Sequence, residues 1–314
     1  MVEAASGARR RSALRMGITK PPAVAFVSRV EAMVGGAPES VDGSANGADR
    51  FTHRIVDGVA ITQCDPPGTR RAPMLLVHGG CHGAWQWEPW LPWLARSGRT
   101  VMAIDWFSHG MSRRLEHDEW VHRGILDVQT EIGVGVDQAP GRPVLIGHSM
   151  GGLASLAYAI SHPGRIAALV LLSPVVPARF SGAPIEVPVD REGLWPVPPP
   201  EIARQLWFET APEAHLAAIY SRLQPESSQA VWEATRWTTG LAVDALDVPV
   251  LVVVGARDQL TPPDVVAGLA EGIGAAFITL DGVGHGVVFD PGWPALCERI
   301  DGWLTAVEEP GTES

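Results

Sequence analysis

Pro143-Val144-Leu145-Ile146-Gly147-His148-Ser149-Met150-Gly151 is the stretch from which the rest of the chain can be read. A short apolar run leads into a G-x-S-x-G centred on Ser149. Behind it Leu153, Leu156, Ala157 and Ile160 recur at helical spacing until Pro163-Gly164 stops the helix. Strand, sharp turn and helix therefore meet at one serine. Such a turn is so tight that the positions two before and two after Ser149 must be small. It holds the serine in a strained backbone conformation with its hydroxyl exposed above the sheet. At a helix start, backbone N–H groups and the positive dipole end also lie beside any developing oxyanion.

Runs of the same kind flank this one. Phe51 to Cys64 reads as a hairpin turning near Asp57-Gly58. Met74–Val77, Thr100–Ile104, Ile166–Leu172, Val248–Val254 and Ala275–Leu280 are short and rich in Val, Ile and Leu, the composition of strands buried on both faces. Helical patterns alternate with them. Asp290 can cap a last helix with Pro291 at its first position, and Trp293, Leu296, Cys297, Ile300 and Leu304 form its buried stripe. The expectation is an α/β fold, a mostly parallel doubly wound sheet with helices on both faces and the ligand beyond the C-terminal strand ends. Residues 51–173 and 248–308 make this core. Residues 174–247 contain no clear core strand but hold Trp195, Pro196–Pro200, Trp207, Phe208, Tyr220, Trp232 and Trp237. They read as a helical cap inserted before the strand that carries the acid.

A serine hydroxyl needs a base to take its proton. His285, after the last core strand, is the candidate, and it needs a carboxylate to fix its tautomer. Asp258, after the preceding strand, supplies one. The competing carboxylates are Asp281, only four residues from His285, and Asp264 and Asp290, which read as helix-start residues. His148 reads as packing beneath the turn. Cys81 reads as a small buried hydrophobe, and Trp85, Trp87, Trp90 and Trp93 as core.

The order Ser149, Asp258, His285 in this setting resembles the α/β-hydrolase superfamily, over nearly everything after residue 50. The string His78-Gly79-Gly80-Cys81-His82-Gly83-Ala84-Trp85 is similar to that of the plant methylesterase and hydroxynitrile lyase group. Asp105 to Ser112 resembles an Asp-x-x-Gly-His-Gly-x-Ser loop, with Ser108 in place of glycine. The resemblance implies an oxyanion hole made by the Gly80 and Met150 N–H groups. It also implies a serine hydrolase that needs no cofactor and acts on a small-molecule ester. Cys81, His82, Trp195, Trp207 and Trp237 are candidates for an apolar substrate pocket. Lactonase, carbon–carbon bond hydrolase, acyltransferase and perhydrolase share the machinery, and a non-catalytic ligand receptor or scaffold is the alternative of another class. In the lyases of the group a cap-region lysine helps stabilise departing cyanide. Here Lys20 is the only lysine, so hydrolysis is expected rather than cyanohydrin cleavage.

Composition narrows the field. The 314 residues are 46% hydrophobic, enough for a substantial core. A formal net charge of −11 gives no electrostatic support for binding nucleic acid. No apolar run approaches the roughly 20 residues of a membrane span. Cys64, Cys81 and Cys297 are too few and odd in number for a disulfide framework, which fits a cytoplasmic setting. His109, His162 and His215 show no metal-ligand spacing. Residues 1–50 begin basic, at Arg9, Arg10, Arg11 and Arg15, and turn glycine-rich. They lack the apolar core of an export signal and read as a flexible tail.

Overall fold

Eight strands form one sheet: Thr52–Val56 (β1), Val59–Cys64 (β2), Met74–Val77 (β3), Val101–Ile104 (β4), Val144–His148 (β5), Ala168–Leu172 (β6), Val250–Gly255 (β7) and Ala276–Leu280 (β8). The structure is a computed structural model and describes residues 51–68 and 71–308; the tail expected over residues 1–50 lies outside the described residues. Spatial order is β1-β2-β4-β3-β5-β6-β7-β8. β1 and β2 are a hairpin, closed by Asp57 and Gly58 at φ 49° and 82°, the left-handed values that a two-residue turn requires. β2 also runs antiparallel to β4, and every later pairing is parallel.

Side chains on a strand alternate between faces, and the two faces build two hydrophobic layers. Leu75, Val77, Leu145, Leu169, Leu171, Val252 and Val254 point to one. There they meet Ile132 and Val136 of Gln129–Asp137, Leu153 and Leu156 of Met150–Ser161, and Val266 and Leu269 of Pro263–Ile273. Met74, Leu76, Val144, Ile146, Val170, Leu172, Leu251 and Val253 point to the other. They meet Leu91 and Leu94 of Trp90–Ala95 and Leu296, Ile300 and Leu304 of Trp293–Glu308. Burial on both faces is why these strands read as unbroken apolar runs. Trp87 and Trp90 are fully buried, and Trp90 Nε1 donates to Val288 O at 3.1 Å, tying this layer to the loop after β8.

The last helix departs from expectation. It begins at Trp293, not Pro291, because Asp290 closes a turn first. Its carboxylate accepts the Gly292 N–H at 2.7 Å and its carbonyl accepts the Trp293 N–H at 3.0 Å. Within residues 174–247 lie three α-helices, Pro200–Trp207, Glu213–Tyr220 and Ser228–Arg236, and an isolated antiparallel bridge between Trp195 and Glu226; no strand of the sheet lies there among the described residues. Among the described residues no helix is long and apolar enough to cross a membrane.

Candidate active site

Parallel strands deliver their following loops to one edge of the sheet, and Ser149, Asp258 and His285 follow β5, β7 and β8. Ser149 has φ 54° and ψ −121°, far from the regions that non-glycine residues favour. Its neighbours show why the turn needs glycine. A Cβ on Gly147 would overlap the Gly151 carbonyl, and one on Gly151 would overlap the His78 carbonyl. No side-chain movement relieves a clash with backbone.

Ser149 Oγ is 2.9 Å from His285 Nε2. His285 Nδ1 lies 3.0 and 2.9 Å from the two oxygens of Asp258. A carboxylate only accepts, so Nδ1 carries the proton and Nε2 offers its lone pair to the serine hydroxyl. Asp258 is held in turn by the Leu260 and Thr261 N–H groups at 2.9 and 2.8 Å and by Thr261 Oγ1 at 2.7 Å. Burial alone would raise its pKa, but His285 and these donors hold it below the ordinary carboxylate value. Asp281, the nearest competitor in sequence, is exposed. His148 lies beneath the turn, its Nε2–H donating to the His285 carbonyl at 3.2 Å.

The loop after β3 lies against this group. Gly80 backs onto Met150, whose Sδ would be 2.6 Å from a Cβ there. Among the described residues no protein acceptor takes the Gly80 or Met150 N–H. Other peptides of the loop are occupied. His78 Nε2 accepts the Trp106 N–H at 3.1 Å, so its Nδ1 carries the proton and donates to the Gly79 carbonyl at 2.8 Å. His82 Nδ1 donates to the Gly80 carbonyl at 2.6 Å. Burial lowers the pKa of both imidazoles, that of His82 to about 4, so both are neutral. Asp105 Oδ1 accepts the Ala84 N–H at 2.7 Å and Oδ2 the Met111 N–H at 3.0 Å, coupling this loop to the one after β4. Ser108 takes φ 66°, the left-handed value that glycine adopts freely. Its hydroxyl accepts the Leu115 N–H at 2.9 Å.

The pocket candidates separate into two groups. His82 packs within 5.3 to 5.8 Å, centroid to centroid, of Trp85, Trp207, Phe208 and Phe289. Cys81 belongs to the same cluster as Trp207 and Phe208, and Trp195 meets Trp207 at 6.2 Å. The backbone of Trp207 presses on Gly286, where a Cβ would overlap the Trp207 carbonyl, so this part of residues 174–247 lies directly against the His285 loop. Trp237 sits apart, in the layer with Leu153 and Val175, its Nε1 donating to Ala183 O at 3.1 Å. Burial pushes the Cys81 thiol well above its usual value, so it is a packed thiol and not a thiolate. Among the described residues no three His, Cys, Asp or Glu side chains gather as a metal site. Phe289 and Glu226 go beyond the sequence candidates, since each reaches the site only through the fold, and Phe208 joins them from among the aromatics of residues 174–247.

Comparison with known proteins agrees with this architecture. The profile of the alpha/beta hydrolase family matches residues 74–294. A monoacylglycerol lipase of Mycolicibacterium smegmatis is 27% identical over 269 residues, covering 81% of this chain and 93% of that protein. A 2-hydroxymuconate semialdehyde hydrolase of a Pseudomonas species is 30% identical over 243 residues, covering 68% of this chain and 80% of that protein. Methylesterase 9 of Arabidopsis thaliana is 33% identical over 107 residues, 33% of this chain and 40% of that protein.

Proposed function

The chain belongs to the α/β-hydrolase family, and on that premise we propose that it is a serine hydrolase, needing no cofactor, that cleaves a carboxylic ester through an acyl-enzyme. The observation that carries the reading is the hydrogen-bonded chain from Ser149 Oγ through His285 to Asp258. Ser149 attacks the ester carbonyl while His285 Nε2 takes its proton. Asp258 keeps the imidazole in the required tautomer and stabilises the imidazolium. The Gly80 and Met150 N–H groups receive the oxyanion. His285 returns its proton to the leaving alcohol, then activates water to release the acid.

The aromatic group of Trp85, Trp207, Phe208 and Phe289 around a neutral His82 favours an ester with apolar substituents and supports residues 174–247 as a cap over the site. The test is hydrolysis of aryl and alkyl esters of increasing acyl length, with lactones in the same panel, by the wild type and by Ser149→Ala. Turnover that vanishes in Ser149→Ala supports the reading. Turnover within tenfold of wild type in the variant, its mass verified, removes it.

A further inference from the structure

Glu226 is 2% exposed and lies within residues 174–247, far in sequence from Ser149, Asp258 and His285. A buried carboxylate must be paired or protonated. This one has three partners. Its Oε2 accepts the Cys81 N–H at 2.9 Å, its Oε1 accepts the Ser227 N–H at 2.8 Å, and His109 Nε2 stands 3.2 Å from Oε2. The other nitrogen of His109 faces the Phe107 carbonyl at 3.2 Å. Nδ1 thus donates to a carbonyl, and Nε2 stands at ion-pair distance from the carboxylate without the alignment of a hydrogen bond. Burial opposes charge on either residue. Each nevertheless shifts toward its charged form, Glu226 downward and His109 upward, because each has the other as counter-ion.

The position of this pair gives it a task. Cys81 sits at φ 65°, a backbone conformation that costs a non-glycine residue about 1 kcal/mol or more. Rotating the adjoining peptides would relieve that cost. The peptide between Gly80 and Cys81 is held at both ends, its N–H by Glu226 and its carbonyl by His82. The Cys81 carbonyl accepts the Gln224 N–H at 3.0 Å, from the same short segment. That segment is itself anchored. Glu226 exchanges two backbone hydrogen bonds with Trp195, at 2.8 and 2.9 Å, and Ser227 Oγ donates to the Val121 carbonyl at 2.9 Å.

We propose that Glu226, with His109 as its counter-ion, is a positioning residue that clamps the loop carrying Gly80, and so sets the oxyanion-binding N–H from the far side of residues 174–247. The clamp rests on the hydrolase reading above for its consequence in turnover, though not for its existence. It works by accepting the Cys81 N–H, which stops the strained peptide from turning and keeps the Gly80 N–H directed at the reacting carbonyl. The counter-ion is needed because a carboxylate oxygen here stands 3.4 Å from where a Gly80 Cβ would be. Uncompensated, its charge would oppose the oxyanion.

The experiment compares wild type, Glu226→Ala and Glu226→Gln by hydrogen–deuterium exchange of the peptide containing residues 78–83 and by steady-state ester hydrolysis. Glu226→Gln can keep its one oxygen on the Cys81 N–H only by turning its NH₂ toward the Ser227 N–H, whereas Glu226→Ala leaves the Cys81 N–H without any acceptor. Exchange at 78–83 is expected to speed up in Glu226→Ala and to speed up less in Glu226→Gln. kcat is expected to fall roughly 10- to 100-fold in Glu226→Ala with KM little changed, as for a misplaced oxyanion donor. Glu226→Gln should recover part of it. If Glu226→Ala does not fold, Glu226→Asp, one methylene too short to reach, takes its place. Unchanged exchange at 78–83 in a folded Glu226→Ala, or equal kcat losses in the alanine and glutamine variants, would overturn the clamp. Exchange reads the clamp directly, while Ser149-dependent turnover of the wild type reads the hydrolase assignment, so either can fail without the other.

Discussion

Replacing Asp258 by Asn tests the tautomer argument with almost no change of shape. In the structure Oδ1 accepts two backbone N–H groups, from Leu260 and Thr261, so an Asn side chain places its carbonyl oxygen there. Its NH₂ then occupies the Oδ2 position, 2.9 Å from His285 Nδ1 and 2.7 Å from Thr261 Oγ1. The threonine hydroxyl can turn and accept, but Nδ1 meets this NH₂ only by giving up its proton, and the Oδ1 position 3.0 Å from it is already taken by two N–H groups. The proton moves to Nε2, which then donates toward Ser149 and cannot take the serine proton. The expected loss in kcat is about 10⁴-fold, or about 5 kcal/mol of transition-state stabilisation. Ester hydrolysis at saturating substrate gives kcat, and a thermal melt of the same preparation shows that the fold is retained. A folded Asp258→Asn enzyme within tenfold of wild type would refute the assignment, and a larger loss in Asp281→Asn would move the acid there.

Trp207→Ala should lower kcat/KM for long-chain esters at least tenfold more than for acetates, because it removes an aromatic wall 5.5 Å from His82; equal losses across the series would deny the wall to the substrate. The Glu226–His109 pair should shape stability against pH. Glu226 is depressed, so its contribution is full above about pH 4.5 and is lost as pH falls through its lowered value. His109 is raised, so its contribution is full below about pH 6.5 and is lost as pH rises through its raised value. Urea midpoints should therefore decline on the alkaline side more steeply in wild type than in His109→Gln, and parallel declines would contradict the pairing. Cyanide release from mandelonitrile, corrected for the uncatalysed rate, should not exceed aryl ester hydrolysis, since no lysine follows Lys20 and arginine cannot replace a compact ammonium. Ser149-dependent cyanide release faster than ester hydrolysis would contradict this.

What the chain discloses in advance depends on how local its cause is. β5, the turn at Ser149 and the helix behind it are legible because their causes lie within a dozen residues: an apolar run, two glycines that cannot carry a Cβ, and a helical stripe. The apolar runs of β3, β6 and β7 are equally plain, since a strand covered on both faces has no room for polar side chains. Edges are less so. Asp290 makes a turn of its own before Trp293, and both behaviours are open to an Asp-Pro pair. Trp237 has the composition of a pocket residue but belongs to the layer that holds Leu153 and Val175, a choice made by the path of residues 174–247. Glu226 carries no local sign of its contact with Cys81, because that contact spans 145 residues and depends on the bridge to Trp195.

The most direct measurement is covalent labelling of the wild-type protein with a fluorophosphonate, followed by mass spectrometry of the digest. The account predicts a single phosphonyl adduct on the peptide containing Ser149, formed in step with the loss of ester hydrolysis and absent from His285→Ala, where no base activates the serine. Ester hydrolysis that survives full labelling at Ser149, or that is lost with the adduct on any other residue, would contradict it.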